Sequence, residues 1–340
     1  MKPMKSGNVQ NLMESNLLEP LLFTPLLKSK LWGGRRLSTM FGSDDQDKEL
    51  VGEAWLMSNY ENSETVIRGG AFAGQTLSSL IKVYGKRLMG QSLYERFGNR
   101  FPLLIKLIDT YRDLSVQVHP TDAVAHALNL PSGKTEMWYI LDAKPNASII
   151  MGFNEKVTPN NLEKHIVDGT LCRYLNSHSV TSGDCFFIPA GLIHSIGPGI
   201  LLLEIQQSSD ATFRVYDFNR RDASGKLRDL HIPQAQKALD FSLHDSSSTP
   251  YEKVDNAPVL LQQTSFFTTR LYRITDNYAL DLSADRFVAL IAIEGEGVLK
   301  SGSWQHTLKV GDAVLIPAEL YDAVVAPSGD AFRFVETYVE

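Results

Sequence analysis

The chain is short of cysteine, of net positive charge and of long apolar runs, and each shortage removes a class of protein. Two cysteines in 340 residues, Cys172 and Cys185, cannot build a disulfide framework. Both fall in or near apolar segments and read as buried free thiols of a reducing compartment. A formal charge of -6 argues against a general nucleic-acid binder, while leaving room for a local basic pocket that takes a small anion. No run approaches the roughly 20 apolar residues of a membrane span, and the longest, around Ile200 to Ile205, is interrupted by Glu204. The opening MKPMKSGNVQNLMESNLLEP lacks the continuous apolar stretch of a signal peptide. A cytoplasmic protein without nucleic-acid or membrane partners is expected.

What the chain does have is short apolar, β-branched and aromatic runs separated by turn residues. Residues 21–70 read as strands and turns, with Gly33 and Gly34 turning LLFTPLLKSKLWGG. TLSSLIKVYGKRLMGQSLYERF, residues 76–97, has apolar residues at helical spacing, and Gly85 and Gly90 divide it into two short helices. FPLLIKLIDT and LSVQVHP read as strands, and DAVAHALNL as a short helix capped by Thr121. PNNLEKHIVDGTL and IPQAQKALDF are further short helices, the latter in a polar linker that contains SSST. From about Pro258 the chain is strand and turn to its end.

Candidate metal ligands lie in three of the strand-like segments: Gln117 and His119 in SVQVHP, Glu136 in GKTEMWYIL, and His194 in FFIPAGLIHSIG. Gln117 and His119 are two apart, so a strand points both to one side. Glu136 opens a strongly apolar strand, where an unpaired charge is costly and metal ligation explains it better than a surface ion pair. Imidazole and carboxylate donors on a rigid sheet suit zinc, iron or manganese. Gln117, a neutral amide, is a weak zinc ligand and an alternative substrate contact. His126, His165, His178, His231, His244 and His306 sit in polar, helical or turn contexts and read as solvated.

An internal repeat sets the architecture. GDCFFIPAGLIH (residues 183–194) and GDAVLIPAELYD (residues 311–322) align without a gap. Gly supplies the turn, the apolar run fills a barrel, and Pro ends the strand where no further ladder bond is needed. The first copy matches the glycine, proline and histidine spacing of a cupin motif, and the second resembles the same barrel with its histidine lost. The expected fold is mainly β, two cupin-like jelly-roll barrels with a few added helices. The expected division is an N-terminal extension (1–20), a metal-binding unit (21–220), a helix and linker (221–257), and a metal-free unit (258–340).

LLLEIQQSSDATFRVYDFNR adds Glu204 and Arg214 in core-like strands, which are expensive there unless they meet partners or a ligand. One reading is a mutual ion pair; the other is a polar cluster at the barrel mouth, to which Lys134 adds a cation.

Together LWGG, GEAW, FPLLIKLID, LSVQVHP, GKTEMWYIL, FFIPAGLIHSIG and the segment through Arg214 resemble the type I phosphomannose isomerases in their shorter bacterial form. The resemblance implies one zinc per chain, held by His119, Glu136 and His194. Gln117 matches an additional ligand of longer members. Arg214 matches the family's catalytic arginine, and Glu204 and Lys134 match pocket residues with acid–base or substrate roles. It implies a sugar-phosphate substrate, interconversion of mannose 6-phosphate and fructose 6-phosphate through an enediol, and a monomer or weak homodimer. Two competing readings are a redox cupin such as an iron dioxygenase, and a non-catalytic sugar-binding cupin.

Overall fold

The structure, a computed structural model, describes residues 18–42, 50–221, 224–244 and 247–340. The expected N-terminal extension lies, up to residue 17, outside the described residues. The described residues form two compact units, one drawn from 18–26, 56–103 and 251–340 and the other from 27–42, 50–55, 104–221, 224–244 and 247–250.

The second of these carries the candidate ligands. Its six-stranded sheet runs in the order Cys185–Ile188, Glu136–Ala143, Ile200–Gln207, Leu103–Asp109, Val51–Met57 and Leu26–Gly34. A five-stranded sheet follows the order Leu175–Ser179, Ser148–Phe153, His194–Ile196, Val116–Val118 and Phe213–Tyr216. Inward side chains of both sheets meet in one core, among them Trp138, Ile140, Phe186 and Leu202 from the first and Ile149, Met151 and Ile196 from the second. Every residue of Leu103–Asp109 and of Ile200–Gln207 is buried. These strands therefore read as near-continuous apolar runs rather than alternating ones, and the charges inside them, Lys106 and Glu204, stand out. Gly33 and Gly52, from LWGG and GEAW, owe their identity to close approach: a Cβ on Gly33 would lie 2.5 Å from the Gly52 nitrogen.

In the other unit, a seven-stranded sheet contains Thr268–Ile274, Phe332–Tyr338, Val288–Glu294 and Ala313–Ile316 as consecutive neighbours. A four-stranded sheet runs Tyr278–Ala279, Val324–Pro327, Glu296–Ser301 and Trp304–Lys309. Phe332, Phe334, Leu290 and Val325 are among the residues that fill the space between them.

Residues 21–26 and 56–103 were expected with the metal-binding unit and instead group with the C-terminal strands. Leu21–Thr24 pairs antiparallel with Ala313–Ile316, setting Leu21 opposite Leu315. The carbonyls of Leu88 and Met89 accept the N–H groups of Ala318 and Phe287. Such pairings join residues more than 190 positions apart, and a linear reading places them with their sequence neighbours. The expected break in residues 76–97 is present: Leu77–Met89 kinks at Gly85 and ends at Gly90, where φ is 94°, before Gln91–Phe97 begins. Two further expectations need correction. Arg36–Met40 forms a short helix inside the stretch read as strands and turns, too brief for a periodic signal. Cys172 is exposed, because its single-turn helix buries only Leu171, whereas Cys185 is buried.

The repeat is structural as well as sequential. Gly183 and Gly311 have φ values of 93° and 92°, and in both copies the following aspartate accepts a backbone N–H three residues back, Asp184 from Thr181 and Asp312 from Lys309. Ile188 lies opposite Glu136, and its counterpart Ile316 lies opposite Val288. The same register equates Trp138 with Leu290, and hence Glu204, opposite Trp138, with Glu336, opposite Leu290. The second copy thus has Val288 where the first has Glu136, and Asp322 where it has His194. It keeps the other carboxylate, Glu336, which accepts a 2.5 Å hydrogen bond from the Tyr272 hydroxyl.

Candidate active site

Backbone pairing brings the expected ligands together. His194 opens its strand directly opposite Gln117. His119 follows the Gln117 strand, and its carbonyl accepts the N–H of Gly191, the turn residue of PAGLIH. Glu136 opens its own strand between Ile188 and Gln206. The ligand atoms of His119, Glu136 and His194 all lie within 4.8 Å of one another, and all three residues are buried.

Hydrogen bonding fixes the tautomers. Nδ1 of His119 lies 2.8 Å from the Ala211 carbonyl, and Nδ1 of His194 lies 2.8 Å from the Leu192 carbonyl. Carbonyls only accept, so each Nδ1 carries the hydrogen and each Nε2 presents a lone pair. Those two Nε2 atoms face each other at 3.1 Å. Glu136 Oε2 is 3.5 Å from the first and Oε1 is 3.7 Å from the second. Neither Glu136 oxygen receives a well-directed hydrogen bond, although the Lys134 ammonium is 2.8 Å from Oε2. Two converging lone pairs and an under-bonded buried carboxylate repel one another unless a cation joins them. The donor set, two nitrogens and one carboxylate with backbone carbonyls orienting both rings, fits a divalent metal.

The titration behaviour follows from burial and charge. Burial, then the Lys134 cation, holds the His119 pKa down from 6.5 to about 4, and burial also lowers that of His194. For Glu136 burial opposes ionisation, yet Lys134 and the histidines outweigh it and keep the carboxyl well below its usual range. Glu53 behaves similarly: burial raises its pKa, Lys106 and Lys30 lower it, and the result falls from 4.5 to about 2. All these groups have folded pKa values below their unfolded ones, so their stabilisation is present above the unfolded pKa and is lost on acidification. Melting temperature is therefore expected to fall from about pH 6.5 towards 4 as His119 contributes, and further between about 4.5 and 2 through Glu53. Thermal denaturation across that range checks both windows.

A cavity of about 280 Å³ opens beside the cluster, with Gln117, Lys134, Glu204 and Arg214 in its wall. Gln117 Nε2 lies 3.3 Å from His194 Nε2. Lys134 bridges the ligands and the cavity, 3.1 Å from His119 Nε2 and 3.9 Å from Glu204. The mutual Glu204–Arg214 ion pair does not form. Glu204 instead pairs with Lys106 at 3.2 Å and accepts from the Trp138 indole at 3.2 Å, because Lys106 occupies the adjacent strand. Arg214 donates to the Asp229 carbonyl at 2.7 Å, while its Nε is buried with no hydrogen-bond partner. Sequence reasoning passed over Lys106, Lys30, Glu53, Asp210 and Arg228, which also line the cavity. Lys106 had a readable signal, a lysine inside LLIKLID, the same argument that singled out Glu204. Cys185, its thiol pushed up to about 12 by burial, takes no part.

Residues 21–165 match the phosphomannose isomerase type I catalytic domain, and residues 259–334 match the mannose-6-phosphate isomerase cupin domain. Mannose-6-phosphate isomerase ManA of Bacillus subtilis is 37% identical over 302 residues, 88% of this chain and 93% of that protein. A mannose-6-phosphate isomerase of Streptococcus mutans is 34% identical over the same shares of the two chains. The crystal structure of the Bacillus subtilis mannose 6-phosphate isomerase superposes with a TM-score of 0.84 at 31% identity, covering 95% of this chain and all of that one. The fold and buried cluster define a metal-binding cupin enzyme. The chain belongs to the type I phosphomannose isomerases. Membership decides for isomerase chemistry against the redox and sugar-binding readings. No helix among the described residues is long and apolar enough to cross a membrane.

Proposed function

We propose that this mannose-6-phosphate isomerase works with one zinc ion held by His119, Glu136 and His194, and through an enediol. The observation that carries the reading is the pair of imidazole lone pairs converging beside a buried carboxylate. Bound there, zinc supplies Lewis acidity toward the sugar oxygens. The chain's own residues do the rest. Glu204, in the cavity wall with its Oε1 faced by Lys106 at 3.2 Å and Lys134 at 3.9 Å, takes the C2 proton of the open-chain aldose and returns it to C1. Lys134, between Glu136 and Glu204, holds charge at the sugar oxygens as a proton moves from the C2 to the C1 oxygen. Arg214, permanently charged, stabilises the enediol oxygens rather than acting as a base. Gln117 orients a substrate hydroxyl from beside His194.

The wall also accounts for a phosphorylated substrate. Five cationic side chains, Lys30, Lys106, Lys134, Arg214 and Arg228, face three carboxylates, Glu53, Glu204 and Asp210, an excess suited to a dianion. A coupled assay with mannose 6-phosphate and free mannose, on chelated enzyme and after zinc or iron is restored, tests the reading. Activity that survives chelation, or returns with iron alone, overturns the zinc assignment.

The ligand-free copy supplies a control. Asp322 is exposed and accepts the Gly302 N–H at 3.1 Å. Asp322→Ala is expected to retain one metal per chain and full turnover, at a stability cost of about 1 kcal/mol or less. Elemental analysis showing two ions in the parent and one in the variant would refute a single centre.

A further inference from the structure

Glu53 stands at the centre of a group of lysines, and the chemistry above gives the carboxylate itself no task. Its side chain is in the cavity wall but its residue is only 8% exposed. The Trp55 indole N–H donates to Oε2 at 2.8 Å, and the Lys30 ammonium lies 3.2 Å from Oε1. Trp55 in turn receives two cations on its ring, Lys28 at 3.3 Å and Lys106 at 5.0 Å from the centroid. One carboxylate and one indole therefore organise three lysines, two of which line the cavity. From its other side Lys106 is faced by Glu204 at 3.2 Å and Asp210 at 3.9 Å.

A lysine stem has four rotatable bonds and a strongly hydrated head, so a buried ammonium stays where its counter-charges put it. Removing Glu53 would leave Lys28, Lys30 and Lys106 repelling one another, with Asp210 still attracting Lys28 and Lys106 and Glu204 still pairing with Lys106, but with no carboxylate 3.2 Å from Lys30. A carboxylate buried merely for stability is a weak device, since apolar packing does as well or better. A fixed acceptor is a good device for aiming donors, and the Trp55 bond settles which Glu53 oxygen faces Lys30.

We infer that Glu53 is a positioning residue of the isomerase site, acting through Lys30 and Lys106: it holds both ammonium groups directed into the cavity, Lys30 toward the anionic end of the substrate and Lys106 toward Glu204. The inference rests on the isomerase reading of the cavity. The direction of the Lys106 pKa agrees: burial lowers it, but Glu204, Glu53, Asp210 and Glu136 together raise it above the ordinary lysine value.

Glu53→Gln keeps the shape and an acceptor for Trp55 while deleting the charge. Metal content is expected to be unchanged, KM for mannose 6-phosphate to rise and kcat to fall each by about tenfold, and the alkaline limb of kcat/KM to move to lower pH by about one unit. Glu53→Asp, which restores the charge, is expected to recover part of both changes. A lowered melting temperature with unaltered KM, kcat and alkaline limb would make Glu53 merely structural and overturn the inference. Should Glu53→Gln not fold, Lys30→Met decides: a raised KM with kcat nearly retained supports the inference, and an unchanged KM overturns it. Failure of the parent enzyme to isomerise mannose 6-phosphate would instead mark the isomerase reading as wrong.

Discussion

His194→Ala is expected to abolish metal binding and isomerisation together, with turnover falling by about three orders of magnitude or more, the upper range for loss of a principal electrostatic stabiliser. The ring is buried, its Nδ1 is tied to the Leu192 carbonyl, and its Nε2 is aimed at His119 Nε2. Alanine removes one of the two converging lone pairs and leaves a site of one imidazole and one carboxylate, too few donors for a stable centre. It also opens a void against Trp138, whose ring meets the imidazole edge-on at 5.5 Å, so some loss of stability accompanies it. Elemental analysis and a coupled assay on one preparation check the result. Stoichiometric zinc with normal turnover would remove His194 from the centre.

Arg214→Lys separates charge from geometry. The guanidinium has one arm on the Asp229 carbonyl and a buried Nε with no hydrogen-bond partner, in the wall of the cavity. Lysine keeps the positive charge but not the planar fork that meets two oxygens at once. Turnover is expected to fall by about two orders of magnitude while metal stays bound and the fold survives. Because Glu204 pairs with Lys106 rather than Arg214, a structural salt bridge does not account for the arginine. Normal turnover in a destabilised variant would exclude it from catalysis.

How far the sequence reached depended on the kind of evidence each feature left. His119, Glu136 and His194 were legible because a charged or imidazole side chain in an apolar strand needs a reason, and the Gly–Pro–His spacing named one. The barrel repeat was legible because a turn glycine and its following aspartate leave a fixed mark at both Gly183 and Gly311. Partners were not legible. Glu204 and Arg214 sit ten residues apart and invite pairing, yet sheet order gives Glu204 a neighbour from residue 106. The grouping of residues 56–103 with the C-terminal strands escaped for the same reason, since strand pairing across the whole chain leaves no local composition signal. Glu53 lies in the GEAW motif, but its task depends on Lys30 and Lys106, which only the fold collects.

The ligand-free barrel also bears on what the metal is for. With Val288 and Asp322 in place of a glutamate and a histidine, it still forms the same glycine turn, the same aspartate cap and the same register. The architecture is therefore specified by backbone turns and apolar packing, and the donor residues are guests upon it. Small zinc domains gain their folding free energy from the ion and collapse without it. Here the scaffold stands without a donor set in one of its two copies, so on the proposed zinc reading chelation is expected to silence turnover at little cost to the fold.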